Sequence, residues 1–181
     1  MLTVLTMKIL CFSDSHGTNL YMKRALSMHP DAELVLFLGD GLDDADELAE
    51  SDTRHRWLAV RGNCDRSTVF SGAQIKKTDF LTLKGRKIVF THGDLYGAKY
   101  GDGGLLGLAK ETDADIIVYG HTHSPRESYV ELPGRGVYLF NPGSVGESFP
   151  HGASFGIITL DGDSVLFSHG KIPSSLSSYF K

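Results

Sequence analysis

The chain has little of what usually marks a specialised class of protein. Two cysteines, Cys11 and Cys64, in 181 residues are too few for a disulfide framework. Cys11 falls inside an apolar strand pattern, which fits a reduced, intracellular protein. There is no run of Lys or Arg, and the formal charge is −4, so there is no electrostatic footprint for nucleic acid. A nuclease needs a basic track for the phosphate backbone, and none is present. No apolar run approaches the ~20 residues of a membrane-spanning helix. The opening Met1-Leu-Thr-Val-Leu-Thr-Met7-Lys8 lacks a basic leader and a cleavage site. The expectation is therefore no signal peptide, no membrane partner and a cytoplasmic setting, with Met7 as an alternative start. Repeats, linkers and low-complexity stretches are also missing. A single domain over 1–181 follows, with a core at about 8–168 and a loosely held serine-rich tail at 173–181.

Glycine, by contrast, is plentiful at 21 residues, and many glycines lie beside polar clusters, where they permit tight turns and close backbone approach. Lys8 to Phe12, Leu34 to Leu38, Trp57 to Val60 and Ile116 to Tyr119 read as strands. The solid apolar runs at Leu34 and Ile116 suit strands buried on both faces. Asn19 is placed to cap a helix reaching about Met28, Asp43 to Glu50 reads as a short acidic surface helix, and Leu105 to Lys110 as a third helix. Phe80 to Leu83 and Lys87 to Thr91 flank a Lys84-Gly85-Arg86 turn as an antiparallel hairpin. Further strands are expected at Glu127 to Leu132, Val137 to Phe140, Phe155 to Leu160 and Ser164 to Ser168, the last two joined by an Asp161-Gly162 turn. Early βα units followed by a strand-rich half predict an α/β fold of mixed sheets, a four-layer αββα sandwich. A plain doubly wound sheet is the alternative.

Five acid, histidine and glycine clusters punctuate this pattern, most of them directly after a strand: Asp14-Ser-His16, Gly39-Asp40, Gly62-Asn63-Cys64-Asp65, His92-Gly93 and Gly120-His121-Thr-His123. The carboxyl ends of strands are where an open α/β sheet presents ligands. Each cluster has a bland reading alone: a helix cap, a turn, a core histidine. Together they deliver seven oxygen and nitrogen donors to one sheet edge, enough for two divalent metals. Residues two apart in extended chain point the same way, which explains both D-x-H and H-x-H. A mixed Asp, Asn and His set points to Mn²⁺, Fe²⁺, Zn²⁺ or Co²⁺ rather than Ca²⁺.

The order D-x-H, G-D, G-N-x-D, H-G, G-H-x-H resembles that of the calcineurin-like metallophosphoesterases. Gly62-Asn63-Cys64-Asp65, Thr91-His92-Gly93, Gly120-His121-Thr122-His123 and Asn141-Pro142-Gly143-Ser144 are more narrowly similar to the small single-domain phosphodiesterases of bacteria and archaea. The likeness spans Lys8 to about Ser168 and implies the same αββα sandwich. It implies one metal held by Asp14, His16, Asp40 and His123, and a second by Asp40, Asn63, His92 and His121, with Asp40 bridging. The ions would be Mn²⁺ foremost, with Ni²⁺, Zn²⁺, Fe²⁺, Co²⁺ or Mg²⁺ as alternatives. A hydroxide shared between them would attack a small phosphodiester substrate. Asp40, Asn63, His92 and Asp65 are the implied catalytic set, Asp65 by orienting Asn63 or a ligand histidine.

Two departures stand out. Larger relatives carry histidine at Cys64, where it protonates the leaving group; a thiol of ordinary pKa ~8.5 replaces it poorly, so good leaving groups are favoured unless water helps. The bland reading of Cys64 is a small buried filler. Close relatives often read Thr-His-Gly-His where this chain has Thr91-His92-Gly93-Asp94, so Asp94 is assigned to the substrate mouth or to orienting His92. Asn141 to Ser144 should shape a nearby loop. His29, His55, His151 and His169 read as surface or loop histidines, and Asp43, Asp44, Asp46 and Glu47 as a solvated helix face. Substrate choice falls to rim loops at Asp94 to Gly104 and Phe149 to Ser154. A phosphomonoesterase or nucleotidase is the alternative enzyme, and a scaffold like the retromer subunit of this fold the alternative from another class. The filled ligand set argues against the scaffold. A homodimer or higher homo-oligomer is a fair expectation for so small a chain.

Overall fold

A computed structural model describes residues 6–146 and 152–172. In chain order the elements are β1 (Met7–Phe12), α1 (Leu20–Met28), β2 (Leu34–Phe37), α2 (Leu42–Ser51), β3 (Arg56–Ala59), β4 (Val69–Phe70), β5 (Ala73–Gln74), β6 (Thr78–Leu83), β7 (Arg86–Thr91), α3 (Gly103–Thr112), β8 (Ile116–Tyr119), β9 (Arg126–Leu132), β10 (Arg135–Asn141), β11 (Ala153–Asp161) and β12 (Ser164–Ile172). A 3₁₀ turn at Asp94–Tyr96 precedes α3.

Two five-stranded sheets carry the architecture, ordered β12-β11-β1-β2-β3 and β6-β7-β8-β10-β9. Each is mixed, with three parallel strands at its heart: β1, β2 and β3 in one, and β7, β8 and β10 in the other. The alternation of the apolar runs explains how the sheets stack. Ile9 and Cys11, Leu34 and Leu36, Ile88 and Phe90, and Ile116 and Val118 fill one core between the sheets. Their neighbours Leu10, Phe12, Val35 and Phe37 face outward onto buried residues of α1 and α2. Val89, Ile117, Val137 and Leu139 pack against Leu105, Leu108 and Ala109 of α3. A run apolar at every position buries both faces of its strand. The predicted αββα sandwich is the observed one, and the plain doubly wound sheet is set aside.

Some details differ from the sequence reading. Asn19 stands at the N-cap of α1 but makes no capping bond; its Nδ2 donates to Glu47 Oε2 at 3.0 Å. The acidic face of α2 is not merely solvated. Asp44 Oδ2 accepts from Ser15 Oγ (2.7 Å) and Gly17 N (2.8 Å), and Asp46 Oδ1 from Ser71 N (2.7 Å). The helix thus ties down the loop after β1. α3 begins at Gly103, earlier than expected, because consecutive glycines hide helical periodicity. The short hairpin β4–β5 was not anticipated; two-residue strands carry almost no periodic signal. β12 continues through His169 and Lys171 to Ile172. His55 is buried, with Nδ1 2.7 Å from Asp52 Oδ2, rather than on the surface. The tail at 173–181 and half of the second rim loop, Phe149 to His151, lie outside the described residues. No helix among those described is long and apolar enough to cross a membrane.

Candidate metal centre

The parallel triplets run in register so that their carboxyl ends meet at one edge of the sandwich. β1 delivers Asp14 and His16, β2 delivers Asp40, β3 leads to Gly62 and Asn63, β7 leads to His92, β8 delivers His121 and His123, and β10 ends at Asn141. The backbone there is unusual. Among the described residues eight non-glycine positions have positive φ, and five of them are Asp14 (57°), His16 (48°), Asp40 (59°), His121 (66°) and His123 (58°). Each such position costs conformational energy, about 1–3 kcal/mol, and persists only where the surroundings impose it. Turning sharply as the chain leaves the sheet points these side chains at one another. Gly62 is required for a second reason. A Cβ there would lie 2.1 Å from Asp40 Oδ1, so only glycine lets the β3 loop approach that carboxylate.

Six of the seven predicted ligands gather into two groups, Asp14 with His16 and His123, and Asp40 with His92 and His121. In the first, Asp14 Oδ1 is buried and has no hydrogen-bond partner, while lying 3.1 Å from His123 Nε2 and 3.8 Å from His16 Nε2. Those two imidazole nitrogens face each other at 3.3 Å. In the second, His92 Nδ1 donates to Leu38 O at 2.8 Å, so neutral His92 presents a bare Nε2. That atom meets Asp40 Oδ2 at 3.2 Å and His121 Nδ1 at 3.2 Å. Acceptor atoms crowded in this way are relieved either by protons on the imidazoles or by a cation between them, and Asp with imidazole suits a divalent transition metal. The donor set therefore fits a metal at each group. His92 Nε2 stands 4.0 Å from Asp14 Oδ1, which joins the two groups into one site. The seventh residue, Asn63, is exposed beside them, its Nδ2 donating to Cys64 Sγ at 3.3 Å.

The electrostatics follow from this crowding. Burial pushes the Asp40 carboxyl up, but His92 and the Cys64 N–H, at 2.7 Å from Oδ1, outweigh it and hold the group well below the usual carboxylate range. Burial alone would lower His92; Asp40 and Asp14 carry it above the ordinary imidazole value. His121 falls below that value through burial and the neighbouring His92. The hydrogen bond from the Cys64 thiol to Asp40, then burial and the surrounding carboxylates, raises that thiol and keeps it protonated. Cys64 is exposed, not the buried filler expected.

Supporting residues act through the backbone. Asp65 touches neither Asn63's side chain nor a histidine in the way anticipated. Its Oδ2 accepts from Asp40 N and Gly62 N, its Oδ1 from Gly41 N and Leu42 N, all at 2.8 Å. One carboxylate thereby fixes the turn that presents Asp40. Asp94 likewise does not orient His92, which is held by Leu38; its Oδ2 accepts from Lys77 Nζ at 3.0 Å. Asn141 Nδ2 bonds Gly120 O (2.8 Å) and Thr122 Oγ1 (3.1 Å), and Ser144 Oγ bonds Asp14 O (2.8 Å). The Asn-Pro-Gly-Ser loop thus braces both the H-x-H turn and Asp14. These bracing roles were legible only as motif neighbours, since nothing in the sequence specifies which backbone group a side chain meets.

An αββα sandwich whose strand ends converge on two Asp/His groups defines a metal-dependent hydrolase. Comparison with known proteins makes the assignment specific. The model of the calcineurin-like phosphoesterase superfamily domain matches residues 7–163. The chain is 33% identical over 163 residues to the probable metallophosphoesterase YsnB of Bacillus subtilis, covering 87% of this chain and 86% of that protein. It is 31% identical over 181 residues to the phosphodiesterase YfcE of Escherichia coli, covering 88% and 91%. Among solved structures, a predicted phosphoesterase from Streptococcus pneumoniae superposes with a TM-score of 0.72 at 26% identity, covering 94% and 95%. Vacuolar protein sorting 29 of Cryptosporidium parvum shares the fold at 0.69 and 19%, covering 92% and 99%. The chain belongs to the calcineurin-like phosphoesterase superfamily and is a metallophosphoesterase. A fold alone does not specify activity; here the family match over residues 7–163 carries that argument.

Proposed function

We propose that the protein hydrolyses small phosphodiesters with two divalent cations, manganese foremost, held by Asp14, His16, Asp40 and His123 on one side and Asp40, Asn63, His92 and His121 on the other. The observation that carries this reading is the pair of donor groups meeting across 4.0 Å between Asp14 Oδ1 and His92 Nε2. Bound there, two cations supply charge for the phosphoryl oxygens and water activated near neutral pH. The protein's own contribution is positioning. Asp65 fixes the Asp40 turn, Leu38 O fixes the His92 ring, and Asn141 and Ser144 fix the loops that bear His121, His123 and Asp14. Cys64 stands at the mouth with a thiol whose proton is held by Asp40. It is a weak acid for a departing alkoxide, so esters with good leaving groups are preferred. The name of the Escherichia coli relative favours a diester. The negative net charge favours a small substrate over a nucleic acid.

The test is hydrolysis of bis-p-nitrophenyl phosphate against p-nitrophenyl phosphate by chelator-stripped protein, with Mn²⁺, Ni²⁺, Zn²⁺ or Mg²⁺ restored. Metal-dependent cleavage of the diester in preference to the monoester is the expected result. Preference for the monoester would turn the assignment to a phosphatase, and inactivity with metal bound would turn it to a scaffold.

A further inference from the structure

Two cavities flank the Asp/His groups, and their chemistry differs. One, of about 260 Å³, lies against His16 and Cys64 and is lined by Asp43, Asp44, Asp65 and Arg66. The other, of about 380 Å³, opens beside His123 and is walled by Pro125, Ser144, Ser154, His169 and Lys171, with no carboxylate among its described lining residues. His169 and Lys171 are two apart on β12 and so share a face of that strand. The His169 ring is fixed: its Nε2 donates to Asn141 O at 2.8 Å, and it stacks on Phe140 with 4.8 Å between centroids. Lys171 is opposite Ser154 in the β11–β12 register and makes no ion pair with any described residue. A cation with no ion pair among the described residues, in a cavity adjoining the Asp/His groups, is arranged for an anion.

We propose that this second cavity is a subsite for an anionic group, phosphate or carboxylate, carried by one substituent of the ester, with Lys171 as the residue that selects it. The proposal rests on the phosphodiesterase reading and names the substrate class: diesters with a second negative charge a few bonds from the scissile phosphorus. The first cavity, with Asp43 and Asp44 set against a single Arg66, disfavours such a group there.

Calorimetric titration of the manganese-loaded protein with propane-1,3-diphosphonate and propylphosphonate tests this directly. The affinity ratio of the two ligands should be about two- to fivefold larger in the wild-type protein than in Lys171→Gln, the range of a solvent-accessible ion pair. Lys171→Arg should retain the ratio, and raised salt should shrink it. An equal ratio in wild type and Lys171→Gln overturns the proposal. Turnover of ethyl p-nitrophenyl phosphate by the wild-type protein separates the two claims. Absent turnover with the Lys171-dependent ratio intact retires the diesterase reading and leaves the anion subsite; turnover without the ratio does the reverse.

Discussion

The two Asp/His groups share a composition of one carboxylate and two imidazoles but are built differently. In the Asp40, His92 and His121 group, His92 is wholly buried, its ring is pinned by a backbone carbonyl, and the Asp40 turn is held by four backbone N–H bonds to Asp65. In the Asp14, His16 and His123 group the carboxylate is buried, but the His16 side chain is 37% exposed. Preorganisation lowers the cost of ordering ligands around an ion. On the proposed two-metal reading, the buried group would be the tighter, more slowly exchanging half of the centre and the open group the more labile half.

Replacing Asp40 would strike both halves of the proposed centre, in which it is the shared ligand; its Oδ2 lies 3.2 Å from His92 Nε2. Asp40→Ala should lower kcat by about 10³-fold or more in steady-state diester hydrolysis; retained activity in metal-free protein would sink the two-metal account. Asp65→Asn leaves every ligand in place but weakens the turn beneath Asp40. It should cost about 10–100-fold in activity or metal affinity, and a silent substitution would show that the turn holds itself.

Stability separates the groups next. His92→Ala removes a buried ring and strands the Leu38 carbonyl, so chemical denaturation of the metal-free protein should show a loss of about 2–4 kcal/mol. His16→Ala should stay within about 0.5 kcal/mol while still weakening metal binding. Equal losses would erase the distinction. Chelator-driven release should accordingly be biphasic, with the fast phase missing in His16→Ala.

The smallest effect is on pH. His92 is raised above its ordinary value in the metal-free fold, so its stabilising contribution is complete below about pH 6.5 and is lost as pH rises through the raised value. Asp40 is depressed, so its contribution is lost only in acid. Metal-free protein should melt a few degrees lower at pH 8 than at pH 6. Metal should reverse the trend, because protons compete with it for the same nitrogens, and activity should fall as pH drops through about 6. A melting curve indifferent to pH without metal would mean that His92 is not charged there.

The sandwich and the convergence of Asp and His side chains at its strand ends are readable in the sequence because both rest on strong local signals. Apolar runs at Leu34 and Ile116 mark strands buried on two faces, and acid or histidine beside glycine marks the turns that follow them. What escaped depends on long-range partners. Asp65, Asp44 and Asn141 bond backbone groups 21 or more positions away, a relation that sequence spacing does not encode. The exposure of Cys64 is not legible either, because a thiol after a turn asparagine carries no signal of burial. His55 lies in a loop, one of the two places the sequence suggests, but is buried rather than on the surface because Asp52, three positions earlier, satisfies its ring.

The central claim is that the two groups bind two ions as one centre. Diffraction from manganese-loaded crystals at the metal's absorption edge tests it most directly. The account predicts two anomalous peaks about 3.5–4 Å apart, one against Asp14, His16 and His123 and the other against Asp40, His92 and His121. A single peak, or peaks elsewhere on the surface at saturating metal, would contradict it.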